Sequence, residues 1–77
     1  MKALIEYIAK ALVEHDDEVD VLEIRRGNRI VLELRVSKDD MGRVIGKNGR
    51  VANAIRTLLR VAAEREGKQI SLDVVEP

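Results

Sequence analysis

The sequence predicts an α+β domain in which helices cover one face of a three-stranded mixed sheet. Three patterns support this fold class. Amphipathic helical runs occur both at the start of the chain and after its middle, a Gly-Asn pair separates two alternating runs, and a last alternating run closes the chain. The predicted order is α-β-β-α-α-β. Because the last strand returns after two helices, it can lie parallel to a strand of the antiparallel hairpin. The length of 77 residues predicts one domain over residues 1–77.

The first predicted element is an amphipathic helix over residues 2–14. Apolar side chains recur there at spacings of three and four residues. An acidic stretch over residues 15–18 ends the helix and places His15 near its C-terminus, where the helix dipole favours a positive charge. His15 is a poor metal ligand or catalytic group, because the sequence has no cysteine and no second histidine.

Two strands follow, over residues 19–26 and 29–36. The Gly27-Asn28 pair between them is a two-residue hairpin signal. Apolar residues alternate with more polar ones in the second strand, which predicts that one face is buried. Three arginines cluster at the turn, and their plainest interpretation is solubility and protection of the sheet edge: Arg25, Arg26 and Arg29.

A short helix is predicted next, over residues 38–44. Ser37 followed three residues later by Asp40 resembles a capping box, with Ser37 as the N-cap.

A longer helix is predicted over residues 50–66, with Gly67 as its left-handed C-terminal residue. At ~100° per residue, its apolar side chains cover an arc of ~200°, whereas packing on one sheet needs only ~100°. The surplus apolar surface has Val61 and Ala63 at its edges. It is covered either by the first helix or by a partner. The candidate partner contacts are Leu58, Val61 and Ala62. A closing strand follows around residues 70–74.

Charge is distributed unevenly although the formal net charge is zero. Residues 1–24 carry two basic and seven acidic side chains, a net −5, and residues 25–60 carry ten basic and three acidic, a net +7. Such asymmetry predicts an anionic partner for the middle segment, although two ordinary solvated faces would explain it equally well.

The sequence Gly46-Lys47-Asn48-Gly49 joins the two predicted helices and admits four interpretations. A nucleotide P-loop is excluded, since Gly42 precedes Gly46 by four positions rather than five and Asn48 replaces the required hydroxyl residue. The dinucleotide fingerprint is absent as well. A purely structural turn does not explain a lysine at the tip. The fourth interpretation is the GxxG loop that clamps about four nucleotides in KH domains.

The chemistry of the residues fits that interpretation. Glycines let a sugar-phosphate chain approach the backbone, and the following helix N-terminus offers N–H groups to phosphate. Lys47 adds a point charge, Asn48 a neutral hydrogen-bonding group and Arg50 a possible bidentate phosphate donor.

The run from Asp40 to Leu59, with Gly42, Gly46 and Gly49, resembles the KH core. The element order is that of the type II KH fold. From end to end, the chain resembles the KhpA family of small bacterial single-KH proteins. The resemblance implies binding to single-stranded RNA of many transcripts, as a post-transcriptional regulator or RNA chaperone linked to cell shape or division. It also implies pairing, as a homodimer or as a heterodimer with another KH-domain protein.

The RNA-binding residues predicted on this basis are the loop, its flanks and nearby apolar side chains expected to pack on bases: Arg43, Val44, Ile45, Gly46, Lys47, Asn48, Gly49, Arg50, Asn53, Ile30 and Leu32, with Val31 considered beside them. The competing interpretation of the five apolar side chains, and the stronger one for most of them, is that they belong to the core. Tyr7 is the only aromatic residue, so an aromatic stacking platform is excluded. Binding through phosphates should be weak and salt-sensitive at one site, and two linked sites would raise avidity.

Other function classes find less support. No nucleophile–base pair is visible, so no enzymatic activity, small-molecule substrate or cofactor is predicted. No metal site is predicted either, because the acidic residues 16–18 lack the glycine and spacing of a calcium loop. No secretory signal or apolar run of ~20 residues occurs, which predicts a cytoplasmic protein without membrane contact. The remaining alternative is a protein-pairing module that uses the apolar edge of the last helix, with RNA binding minor or partner-dependent. The sequence leaves single-stranded DNA open as a ligand.

Overall fold

The computed structural model describes residues 1–76 and has the predicted order of elements. Three helices and three strands occur: α1 (Lys2–Leu12), β1 (Asp20–Arg26), β2 (Arg29–Arg35), α2 (Met41–Ile45), α3 (Arg50–Arg65) and β3 (Gln69–Val75). Single turns of 3-10 helix cover Asp16–Glu18, Lys38–Asp40 and Lys47–Gly49. The α+β fold class predicted from the sequence is therefore confirmed.

The sheet has the order β1-β2-β3, with β2 in the centre. β1 and β2 are antiparallel, and β2 and β3 are parallel. The hairpin turn contains only Gly27 and Asn28, as predicted, and Gly27 has the left-handed φ of +60° that glycine favours. The Asn28 carbonyl accepts a 2.8 Å bond from the Gln69 amide, which fixes the start of β3 beside the turn.

The core lies between the helices and one face of the sheet. Strand alternation directs Ile30, Leu32 and Leu34 of β2 toward the helices. The other core side chains come from both edge strands, all three helices and the segment after β2: Ile5, Ala9, Val21, Val36, Val44, Ile55, Leu59 and Leu72. The second face of the sheet is open.

The C-terminus of α3 is closed by Gly67, as the sequence predicts. Gly67 has φ +67°, the Lys68 amide donates to the Ala63 carbonyl at 2.9 Å, and the Gly67 amide donates to the Glu64 carbonyl at 3.1 Å. This is a Schellman pattern, which satisfies two of the last helical carbonyls and turns the chain into β3.

The predicted capping box at Ser37 and Asp40 is wrong. Ser37 makes no side-chain cap, and the chain forms a 3-10 turn before α2 begins at Met41. The Asp40 carboxylate, which is only 1% exposed, instead accepts bonds from the amides of Glu14 (3.1 Å) and His15 (3.0 Å). These hydrogen bonds hold the chain just beyond α1 against the start of α2. α1 ends at Leu12 rather than at the predicted residue 14.

Within residues 1–76, we find no helix with the length and apolar character needed to cross a membrane.

Candidate nucleic-acid interface

Gly46 occupies a backbone conformation that only glycine adopts readily. Its φ and ψ are +75° and 171°. A Cβ at this position would lie 2.5 Å from Val51 Cγ2 and 2.9 Å from the Val51 amide nitrogen. Gly46 is therefore required both by its own backbone and by the close approach of the first turn of α3.

Asn48 and Gly49 also have positive φ, at 57° and 76°. Asparagine is among the few residues with a side chain that tolerate this left-handed region. Asn48 was predicted only as a hydrogen-bonding group, and its left-handed backbone is a second reason for asparagine at this position. Three of the four residues of the GxxG loop (residues 46–49) thus have conformations that make the loop a sharp, projecting turn.

The loop leaves two backbone donors available. The amides of Gly46 and Gly49 donate to Gly42 and Gly46 at 2.9 and 3.1 Å. The amides of Lys47 and Asn48 find no acceptor among residues 1–76, and no side chain caps the N-terminus of α3. Two N–H groups and the positive end of a 16-residue helix therefore meet at the loop, an arrangement that suits an anion.

Of the predicted cations, Lys47 and Arg50 are exposed and form no ion pair with any described residue. Arg43 differs from them. Its Nη2 lies 2.8 Å from Glu14 Oε1, and its Nε donates to Asp40 Oδ1 at 3.2 Å. In this structure Arg43 ties α2 to the connection after α1, which leaves Lys47 and Arg50 as the free cations beside the loop.

Asp40 is the buried centre of that connection. Burial alone raises the pKa of its carboxyl, but the amides of Glu14 and His15 lower it, and so does Coulomb attraction to His15 and Arg43. The net pKa lies below the ordinary value of 3.8. The ionised carboxylate is therefore the form that holds α2, and with it the GxxG loop, against the rest of the fold.

Three of the predicted base-contacting side chains are core residues. Ile30, Leu32 and Val44 are 2%, 0% and 0% exposed, so they have no surface to offer a base. Strand alternation explains the first two, since it turns them under the helices. Ile45 is half-buried against the core, and Val31 lies on the open face of the sheet. The prediction that Ile30, Leu32 and Val44 contact bases is therefore wrong.

A surface groove lies between α3 and the edge strand β3. It has a volume of about 390 Å³. Its lining combines apolar, cationic and hydrogen-bonding side chains: Arg56, Leu59, Arg60, Ile70, Ser71, Leu72 and Asp73. A helix wheel assigns Arg56 and Arg60 to the polar, solvated face of α3, and only the tertiary fold places that face beside β3, so the sequence does not predict this groove.

Asn53 and Arg56, on successive turns of α3, lead from the loop toward this groove. Asn53 Nδ2 lies 3.5 Å from where a Cβ on Gly49 would stand. The Asn53 side-chain oxygen accepts a 3.1 Å bond from Arg56 Nη1. Arg56 Nε and Nη2 both donate to the Leu72 carbonyl, at 3.2 and 3.1 Å. Asn53, a predicted site residue, therefore connects the GxxG loop with the edge of β3.

The predicted partner surface is partly exposed. Leu58 and Val61 are 58% and 49% exposed, and Ala62 is half-buried. Ala63, which the helix wheel placed at the edge of the apolar arc, is buried in the core at 1% exposure. Neither α1 nor any other described element covers Leu58 and Val61, so the surplus apolar arc is open to a partner.

Comparison with known proteins gives results that agree with one another. A family model described as "KhpA/KhpB, KH domain" matches residues 2–74. A protein named RNA-binding protein KhpA from Clostridium acetobutylicum is 49% identical over 75 residues, which are 97% of this chain and 100% of the relative. The protein of that name from Clostridium perfringens is 48% identical over the same proportions.

Solved structures agree at the level of the fold. Era from Aquifex aeolicus superposes with a TM-score of 0.65 at 20% sequence identity, over 97% of this chain and 29% of the Era chain. A second Era structure, in complex with MgGDPNP and part of 16S ribosomal RNA, superposes with a TM-score of 0.59 at 19% identity.

Proposed function

Since the chain belongs to the KhpA/KhpB family of KH domains, as its sequence predicts, we propose that it binds single-stranded RNA through the GxxG loop and the groove between α3 and β3. The family is one of KH domains and not of enzymes. The observation that carries the proposal is the pair of free amides at Lys47 and Asn48, set at the N-terminus of α3 and flanked by unpaired cations.

Phosphates are the part of the RNA that the loop would hold. The two free amides can donate to phosphate oxygens, and the exposed Lys47 and Arg50 side chains add positive charge on either side. Gly46 lets the first turn of α3 approach the loop, because a Cβ at this position would meet Val51, and this approach sets the helix N-terminus beside the two free amides. The loop would therefore fix the path of the RNA backbone without reading its sequence.

Bases would enter the groove next to the loop. Ile70 is half-buried and offers an apolar surface, while the exposed Ser71 and Asp73 offer hydrogen-bonding groups to base edges. A carboxylate such as Asp73 repels phosphate but accepts from the amino group of a base. This division of charges favours phosphates at the loop and bases along β3.

Fluorescence anisotropy with a randomised single-stranded RNA tests the proposal. The double variant Lys47→Asp with Asn48→Asp places two carboxylates at the free amides, and we expect it to lose binding. The double variant Lys2→Asp with Ala3→Asp changes the net charge equally on the exposed first turn of α1 and should bind as the wild type does. Circular dichroism checks that both fold. Loss of binding in both variants, or in neither, would count against the loop.

Pairing is the second function that we propose, through a surface made of Leu58, Val61 and Ala62. Leu58 and Val61 are about half exposed and, at a spacing of three residues on α3, lie side by side as one apolar patch. The partner would be a second copy of the chain or another KH-domain protein. Pairing would join two weak RNA sites and raise avidity without any new RNA contact.

The same features suit a broad role in the cytoplasm. Contacts to the RNA backbone and the absence of aromatic stacking favour binding to many transcripts, as for a post-transcriptional regulator or RNA chaperone. If the isolated chain binds no RNA at low salt but still pairs, the alternative of a pairing module whose RNA binding depends on its partner gains support.

A further inference from the structure

Arg26 and Arg29 form a cationic pair outside the groove, on the open face of the sheet. They are direct cross-strand partners at the end of the hairpin. Like charges in that position destabilise a strand pair. Neither arginine has an ion-pair partner among residues 1–76, whereas the neighbouring Arg25 pairs with Glu23 at 2.8 Å.

Edge protection accounts for Arg26, which lies on the edge strand β1, but not for Arg29. β2 is the central strand, so Arg29 lies on no edge. Solubility, the other role predicted for the turn arginines, does not depend on where they lie. The position of the two arginines relative to the groove is what points to an anionic ligand.

Adjacent concavities lead from the groove to this pair. The groove shares Ile70 and Ser71 with a second concavity of about 290 Å³, which also contacts Arg29, Val31 and Gln69. That concavity shares Arg29 and Val31 with a third, of about 250 Å³, whose other lining residues are Ile24 and Arg26. The surface thus runs over the first residues of β3 and onto the open face.

Cations occur along the whole route. Arg50 stands beside the GxxG loop, Arg56 and Arg60 line the groove, and Arg29 and Arg26 follow beyond β3. Arg50 and Arg60 are separated by ~15 Å along α3. A GxxG loop clamps about four nucleotides, so a longer strand must continue past the groove.

We propose that the RNA strand held at the loop continues over the N-terminal end of β3 and that Arg26 and Arg29 bind the phosphates of its further nucleotides. This inference rests on the proposed RNA binding and extends its site. Half-buried Ile24 and Val31 would give the distal nucleotides an apolar surface between the two arginines and β3.

RNA length is the variable that tests the inference. We would measure anisotropy with uridine oligonucleotides of about five and about fifteen nucleotides, for the wild type and for Arg26→Gln with Arg29→Gln. We expect the wild type to bind the longer RNA more tightly and the variant to lose that gain, on the order of tenfold, while it binds the short RNA unchanged. The slope of log affinity against log salt for the longer RNA should fall by about 1.4, the value for two phosphates on a single strand.

The matched control is Lys2→Gln with Lys10→Gln, which removes the same charge from α1, a helix that contributes no residue to the three concavities. This control should still bind the longer RNA more tightly than the shorter one, as the wild type does. Two results for the Arg26/Arg29 variant would overturn the inference and leave the proposed loop site unaffected. Either the variant still binds the longer RNA more tightly than the shorter one, or its affinity falls equally for both RNAs. If the wild type binds neither RNA, the inference and the proposed RNA binding both fail.

Discussion

The guanidinium of Arg56 holds the carbonyl oxygen of Leu72 with two hydrogen bonds, from Nε at 3.2 Å and from Nη2 at 3.1 Å. Leu72 is in the middle of β3, so this pair fastens the polar side of α3 to the free edge of the sheet. It also sets the width of the groove in which we propose that bases bind.

Replacing Arg56 with lysine should weaken both the fold and RNA binding. A lysine ammonium cannot reproduce the planar fork that reaches Leu72 and Asn53 together. We expect the free energy of unfolding to fall by about 1 kcal/mol, measured in urea, and RNA affinity to fall in parallel. Arg60→Lys is the matched control, since Arg60 lines the same groove without a hydrogen bond to any described residue. Equal stability of the two variants would show that the Leu72 contact is not structural.

Alanine substitutions at the glycines in and before the loop should change the free energy of unfolding by different amounts. Gly46→Ala brings a Cβ within 2.5 Å of Val51 Cγ2 in a glycine-only conformation, and we expect a loss of about 3 kcal/mol. In Gly49→Ala the new Cβ has only Asn53 Nδ2 nearby, at 3.5 Å. The free energy of unfolding should fall by about 1 kcal/mol, which is the cost of a left-handed backbone at a residue with a side chain.

Gly42→Ala is the control for this series. Nothing lies within 4 Å of its Cβ position, and it is in α2, so alanine should stabilise by about 0.5 kcal/mol. Urea unfolding measures all three. A Gly46→Ala variant as stable as Gly49→Ala would mean that Val51 moves aside at little cost.

The Asp40 carboxylate should make the free energy of unfolding depend on pH in the acid range. Because its folded pKa lies below 3.8, the ionised carboxylate contributes stability that is complete above the unfolded pKa and is lost as the pH falls through the folded pKa. Asp40→Asn should therefore be less stable than the wild type at neutral pH, and the difference should shrink below pH ~4. The control is Asp39→Asn, since Asp39 is exposed and accepts no side-chain hydrogen bond from described residues. A difference that stays constant down to the lowest pH would contradict the role of the charge.

The sequence predicted the fold and the loop well because their signals are local. Alternation identified β2, and Gly27-Asn28 and Gly67 marked a turn and a helix end through their own backbone preferences. The groove could not be predicted in this way. Which side of α3 borders β3 depends on how the helix packs. Ile30 and Leu32 were predicted at the RNA surface, although the alternation in β2 already indicated a buried face that includes them. Asp40 was misassigned for a similar reason, since its partners Glu14 and His15 are 26 and 25 residues away in sequence.

A charge at Val61 should abolish pairing while sparing the RNA site. Val61 is 49% exposed and lies on a different side of α3 from Arg56 and Arg60, so Val61→Lys costs the monomer little but would bury an ammonium in an apolar interface. Analytical ultracentrifugation should show a pair for the wild type and a monomer for the variant, with unchanged affinity for a short RNA that occupies one site. Tyr7→Lys is the matched control, because Tyr7 is 75% exposed on α1 and outside the proposed surface. If Tyr7→Lys dissociates the pair and Val61→Lys does not, the interface lies on α1 rather than on α3.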